Sequence, residues 1–214
     1  MNTQETFARI MGGEMTTDEI KEVLTAYHEK GITPDDLMAA ASAMRAAGVH
    51  VACENPDAVD IVGTGGDFAG TFNVSTTAAF IAAGAGVTIA KHGNRAATSK
   101  CGTADVLEAL GYDLDTPPER IAEEIRTNGI GFLFARTLHP AMRFVAPARR
   151  ALKFKTIFNY LGPLTNPAGV KQHVIGVADP SLLRTFAETL DRLGSRGVTV
   201  GIPLFCYWNS NMDP

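Results

Sequence analysis

From Ala58 to Gly194 short apolar runs alternate with segments of helical periodicity, and this alternation restricts the fold more than any other feature of the chain. "AVDIV", "VTIA", "IGFLFA" and "HVIGVA" are rich in β-branched or aromatic side chains, as buried strands are. Beside them stand "STTAAFIAAGAG", "TADVLEALG", "TPPERIAEEIRTNG" and "PSLLRTFAETLDRLG", each read as a helix, with Thr116 and Glu119 as the expected cap of the third. Parallel strands need a crossover between them, most often a helix, so this order predicts an α/β fold with a mainly parallel sheet. Ahead of it lie two helical patterns. "TTDEIKEVLTAYHEKG" has Thr16 and Glu19 as a capping box, an apolar face of Ile20, Val23, Leu24 and Tyr27, and Gly31 as its stop. "TPDDLMAAASAMRAAG" has Thr33 as cap, Pro34 at the first helical position and Gly48 as its stop, and its alanines predict close packing on another helix. The expected organisation is a helical domain over residues 1–52 and an α/β domain over 53–196.

The chemistry-bearing residues follow the strand-like runs. "DIVGTGGDFAG" is no Walker A loop, which needs Gly-Lys-Ser/Thr where Gly66-Asp67-Phe68 stands. It also lacks the third glycine of a dinucleotide fingerprint. Gly63-Thr64-Gly65-Gly66-Asp67 remains, a loop whose bare N–H groups can approach an anion. "TFNVSTT" puts Asn73, Ser75, Thr76 and Thr77 at the start of a helix, where exposed N–H groups and hydroxyls form an anion site; Ser75 is the expected N-cap. "KHGNR" reads as a basic loop carrying Lys91, Asn94 and Arg95, and "ATSKCGTAD" adds Thr98, Ser99, Lys100 and Thr103. One ligand with several phosphates explains all these loops together. Asp67 fits such a ligand if Mg²⁺ lies between carboxylate and phosphate, or if it accepts from sugar hydroxyls.

Composition excludes some partners. The net charge of −4 argues against a nucleic-acid binder. Three cysteines without metal-like spacing favour a reducing compartment. The N-terminus has no apolar signal core, and "AAFIAAGAGVTIA" is far short of the ~20 residues a membrane span needs. A cytoplasmic protein with no membrane partner is expected.

"GTGGD", "TFNVST", "KHGNRAATSKCGTADVLEALG" and "TIFNYLGPLTNPAG" together closely resemble the anthranilate phosphoribosyltransferases, from the first helices to about Arg196. The resemblance implies a small helical domain with a larger α/β domain of the nucleoside phosphorylase/phosphoribosyltransferase type, and a homodimer joined through the N-terminal helices. It implies transfer of phosphoribosyl from phosphoribosyl pyrophosphate to anthranilate, with Mg²⁺ as cofactor. By position, the sugar pyrophosphate would be held by Gly63, Gly66, Asp67, Thr71, Asn73, Val74, Ser75, Thr76, Lys91, His92, Gly93, Asn94, Arg95, Ala96, Ala97, Thr98, Ser99 and Thr103. Ser75 would also touch Mg²⁺. Anthranilate would meet Gly63, Asn94 and Arg149, and an arginine fork does match a carboxylate. His139 could border the aromatic site or be structural, and no residue is singled out as a general base.

Past "LGSRG" the family pattern calls for a strand and then an Asp-Glu pair that binds Mg²⁺. Here the chain reads "VTVGIPLFCYWNSNMDP"; Asp213 is too far from Gly194 to stand in. An incomplete α/β domain with open apolar sheet edges and an atypical tail over 197–214 is therefore expected. Two other functions remain alternatives: an inactive remnant that only binds phosphorylated sugar, and a pyrimidine nucleoside phosphorylase relative. "KHGNR" argues against the second.

Overall fold

The computed structural model describes residues 2–65, 72–96 and 101–201. Its N-terminal region is helical: α1 spans Thr3–Gly12, α2 Thr17–Lys30 and α3 Pro34–Ala46. The caps are those the sequence calls for. Thr16 and Glu19 bond reciprocally at the start of α2, and Thr33 and Asp36 do the same at α3. Each cap is worth about 1 kcal/mol. Gly31 ends α2, while α3 closes at Ala47, one residue before Gly48. The alanines of α3 lie against α1 and α9 (Leu183–Arg192), and Ala40 and Ala41 are buried.

Among the described residues five parallel strands form one sheet in the order β3-β2-β1-β4-β5. They are β1 Val59–Gly63, β2 Ile89–Gly93, β3 Ile130–Phe134, β4 Gln172–Gly176 and β5 Gly197–Gly201. The chain steps outward from β1 to β3 and returns to the far side of β1 for β4. That reversal puts a topological switch point at the carboxyl ends of β1 and β4, the position where open α/β sheets bind ligands. The dinucleotide fingerprint is missing, yet the strand order is that of a doubly wound sheet. The crossovers carry α4 (Val74–Gly84), α5 (Thr103–Ala109), α6 (Pro118–Asn128), α7 (Ala135–Leu138) and α8 (Met142–Ala151).

Helices α1, α7 and α8 are not among the segments read as helical, and four further details depart from the sequence reading. β2 runs on to Gly93, so Lys91 and His92 are strand residues and not part of a loop. Asn73 caps α4, because its Oδ1 reaches the Thr76 N–H; Ser75 stands in the first turn instead. Pro117 is the N-cap of α6, and the Thr116 hydroxyl donates to the Asp113 carbonyl. Pro118 at the first helical position keeps Pro117 extended, so Pro117 takes the cap position and Thr116 stands one residue too early. Gly197–Gly201, read as the start of a tail, pair with β4 along its whole length.

Register sorts the sheet into two faces. Val62 and Ile175 share a core with Phe186 and Leu190 of α9 and with Phe7, Ile10, Ile20, Leu24 and Leu37 of the helical region. Asp60, Ala90 and His92 belong to this face. On the other face lie Ile61, Lys91, Phe132 and Val174, with α4 and α5 above part of it. Beyond α4 no helix among the described residues covers that face: Val174 is 42% exposed, and Phe80 and Ile81 of α4 are 45% and 69% exposed. Among the described residues no helix is long and apolar enough to cross a membrane.

Candidate active site

The first element of the site is the end of β1. Gly63 closes the strand, and the Thr64 N–H donates to the Gly176 carbonyl at 2.9 Å while the Thr64 hydroxyl accepts from Ala178 N at 3.1 Å. Both contacts pin Thr64 to the end of β4, at the switch point. Gly65 has φ 67°, a left-handed turn that glycine adopts without strain. Gly66, Asp67, Phe68 and Thr71 lie outside the described residues.

Next to it stands the start of α4. Ser75 Oγ donates to Asn73 Oδ1 at 3.2 Å, and Thr76 Oγ1 donates to Thr103 Oγ1 at 3.0 Å. Through Thr76 and Thr103 the first turns of α4 and α5 are tied together. The first N–H groups of an eleven-residue helix are partly orphaned and carry a positive partial charge, so the N-terminus of α4 favours an anion. Val74, in that first turn, is 51% exposed.

Lys91 supplies the formal charge. The residue is only 3% exposed, and Nζ donates to the Ile61 carbonyl and, at 3.4 Å, to Ser75 Oγ. Among the described residues no carboxylate lies within ion-pair distance of it. Burial pulls its pKa down, and the charge of Asp60 partly restores it. A desolvated ammonium in contact with a carbonyl and a hydroxyl alone has capacity left for an anionic ligand.

The other residues of this segment divide. His92 is 2% exposed and points to the opposite face of β2, where Nδ1 donates to the Gly162 carbonyl at 2.9 Å. Its ring packs edge-on against His139, with centroids 5.1 Å apart, so both imidazoles are interior groups. Gly93 is needed for room: a Cβ there would lie 3.0 Å from the Phe132 ring and from Thr103 Cβ. Asn94 is exposed at the strand end, its Oδ1 taking the Arg95 N–H at 2.8 Å. Arg95 is not a free cation. Its guanidinium forks onto Glu108 at 2.7 Å and reaches Asp105 at 3.1 Å, and these carboxylates, Glu108 first, raise its pKa. Asp105 also accepts from Ala96 N at 2.9 Å and Gly102 N at 2.8 Å, so one carboxylate grips both ends of the segment between them. Ala97, Thr98 and Ser99 lie outside the described residues.

Arg149 sits apart, in the last turn of α8. It is half-buried, burial lowers its pKa, and no hydrogen bond or ion pair holds its guanidinium among the described residues. Three residues of the site went unremarked in the sequence. Asp60 and Asn166 bond each other at 2.9 Å behind β1, and Asp105 closes the loop. A carboxylate inside the apolar run "AVDIV" is the signal that marks Asp60, since a buried charge needs partners.

The fit to Mg²⁺ is poor for the described residues alone. They contain no group of three metal-ligating side chains. Ser75 offers one neutral oxygen, already 3.2 Å from Asn73 Oδ1 and 3.4 Å from the Lys91 ammonium, which would repel a cation.

Residues 55–201 match the model of the glycosyl transferase family, a/b domain. An anthranilate phosphoribosyltransferase of Deinococcus radiodurans is 53% identical over 192 residues, covering 89% of this chain and 57% of that protein. The crystal structure of anthranilate phosphoribosyltransferase from Thermus thermophilus superimposes with a TM-score of 0.89 at 50% identity, covering 93% of this chain and 61% of that one. Anthranilate phosphoribosyltransferase from Saccharomyces cerevisiae in complex with PRPP and Mg gives a TM-score of 0.84 at 30% identity, covering 94% of this chain and 59% of that one. The chain thus spans about three fifths of the length of these relatives.

Proposed function

Because the chain belongs to the glycosyl transferase family through the a/b domain of residues 55–201, we propose that it transfers the 5-phosphoribosyl group of phosphoribosyl pyrophosphate to anthranilate. The observation that carries this reading is Lys91: an ammonium 3% exposed, with no ion-pair partner among the described residues, under the N-terminus of α4 at the carboxyl ends of the strands. Pyrophosphate oxygens supply the missing negative charge. Backbone N–H groups of Gly63 and Gly65 and of the first turn of α4, the hydroxyls of Ser75 and Thr76, and Lys91 offset the charge that builds on the leaving group. Gly66, Asp67, Thr71, Ala97, Thr98 and Ser99 join them by position in the family pattern. The guanidinium of Arg149, unpaired among the described residues, takes the anthranilate carboxylate as a bidentate fork.

The reaction asks little covalent chemistry of the protein. The amine nitrogen attacks the anomeric carbon, the bond to pyrophosphate breaks, and the nitrogen sheds a proton as the new bond forms. Orientation of amine and sugar in line is worth about 7–11 kcal/mol in favourable cases. Mg²⁺, present with PRPP in the Saccharomyces cerevisiae relative, would supply counter-charge to the pyrophosphate, with Ser75 the described residue named for it. A homodimer through the helical region and a cytoplasmic location complete the proposal.

The test is the loss of anthranilate fluorescence on adding phosphoribosyl pyrophosphate and Mg²⁺ to the purified chain. Turnover in the wild type that vanishes in Lys91→Ala supports the transferase. Phosphoribosyl pyrophosphate binding without turnover points to the sugar-binding remnant.

A further inference from the structure

The seam between β1 and β2 differs from its neighbours. β1 pairs with β4, and β2 with β3, over five residues each, whereas β1 and β2 are in register at Val59 and Ile89 alone. Above that point side chains take over the bonds that a backbone ladder would make. The His92 N–H donates to Asp60 Oδ1 at 3.0 Å. The Ala90 carbonyl accepts from Asn166 Nδ2 at 2.8 Å, and the same amide donates to Asp60 Oδ2 at 2.9 Å. The Ile61 carbonyl accepts from Lys91 Nζ. Asn166 is fixed in turn, its Oδ1 accepting from Ala168 N at 2.8 Å.

Asp60 is 0% exposed and Asn166 2% exposed. Burying a carboxylate is costly even when it is bonded, and a valine at Asp60 would suit a strand covered on both faces. On the transferase reading above, we propose that Asp60 and Asn166 are positioning residues that part β1 from β2 at their carboxyl ends. The Ile61 carbonyl is thereby left to Lys91, and the ammonium stands below the anion cradle. Neither residue touches the ligand; both act through Lys91 and the β2 end.

Isosteric exchanges separate this role from a merely structural one. Asp60→Asn keeps an acceptor for His92 but sets an amide against the Asn166 amide, two donors facing. Asn166→Asp sets two carboxylates face to face. The double exchange restores one donor and one acceptor between the two side chains, while the Ala90 carbonyl, which takes the Asn166 amide in the wild type, then faces a carboxylate. In each single variant kcat is expected to fall about tenfold or more, and inorganic pyrophosphate, titrated calorimetrically, to bind about tenfold more weakly, with KM for anthranilate nearly unchanged. The double variant regains part of what Asn166→Asp loses, since it relieves the facing carboxylates and not the Ala90 carbonyl. Wild-type kcat and pyrophosphate affinity in folded single variants overturn the proposal, as does a double variant no better than Asn166→Asp. Where Asp60→Asn fails to fold, Asn166→Ala, which removes a donor and adds no clash, is read in the same way: weakened pyrophosphate supports the role and unchanged affinity overturns it. Pyrophosphate affinity is read without turnover, so a wild type that binds pyrophosphate and never consumes anthranilate defeats the transferase reading and leaves this test standing.

Discussion

Acid destabilises this protein through three interior histidines. His92, His139 and His173 are each 2% exposed. Neither ring nitrogen of His139 or His173 has a hydrogen-bond partner in good geometry among the described residues, nor does Nε2 of His92. Burial pushes His92 from 6.5 down to about 3, and His139 and His173 to about 4; backbone groups of Gly162, Thr165 and Val170 offset this only in part. Between those values and 6.5 the unfolded chain binds more protons than the native one, so stability falls as pH falls. At ~1.4 kcal/mol per pH unit, each histidine costs about 2 kcal/mol by pH 5, and the three together about 6. Asp60 works in the opposite sense. Burial raises it to about 6, so the native state takes up its proton first and regains about 1 kcal/mol by pH 5. Carboxyls lowered in the native state, such as Asp36 and Asp105, protonate only below 3.8 and do not act in this window. The net loss of about 5 kcal/mol between pH 7 and pH 5 is comparable with the whole stability of many domains. Urea unfolding followed by far-ultraviolet circular dichroism at both pH values measures it. His173→Gln, compared with itself across the same interval, should lose about 2 kcal/mol less than the wild type. A wild-type loss under about 1 kcal/mol, or an equal loss in the variant, refutes the linkage to buried neutral imidazoles.

Two substitutions probe the site from other directions. In Gly102→Ala the new Cβ would lie 2.6 Å from both the Asn94 carbonyl oxygen and the Arg95 carbonyl carbon, which are backbone atoms with no rotamer to yield. A loss of about 1–3 kcal/mol in urea unfolding and a raised KM for phosphoribosyl pyrophosphate are expected, and an unchanged variant would show that the loop closes elsewhere. Arg149→Lys keeps the charge and removes the fork, so KM for anthranilate should rise about tenfold while KM for phosphoribosyl pyrophosphate holds; equal changes in both would place Arg149 outside the acceptor site.

Much of the fold was legible because its signals are local. The boxes at Thr16 and Thr33 need only the next three residues, and the structure forms both. The strands at "AVDIV", "VTIA", "IGFLFA" and "HVIGVA" were readable from short apolar runs, and their parallel pairing from the helices between them. Errors arose where two local signals competed. Asn73 and Ser75 both suit a helix start, and only the backbone path puts Asn73 Oδ1 within reach of the Thr76 N–H. Residues 197–201 looked like the head of a tail because the segment after them is so unusual, yet they pair with β4 at five positions.

The candidate site shows the same division. The glycine loop, the hydroxyls in the first turn of α4 and the basic run at the end of β2 could be picked out by composition and spacing alone. Which of the charges is available could not. Lys91 and Arg95 lie four residues apart and look alike in sequence, but α5 supplies Glu108 and Asp105 to Arg95, while Lys91 is buried without such a partner among the described residues. Asp60 finds Asn166 across 106 residues of chain. By itself the sequence determined that strands alternate with helices, what caps α2 and α3, and which loops carry the bare N–H groups and hydroxyls an anion site needs, since these depend on backbone and side-chain chemistry within a few residues. Tertiary structure decided which of the two cations is paired with carboxylates and which amide meets the buried Asp60, because strand order and register set those neighbours, and interactions in a dry interior are ruled by distance in space.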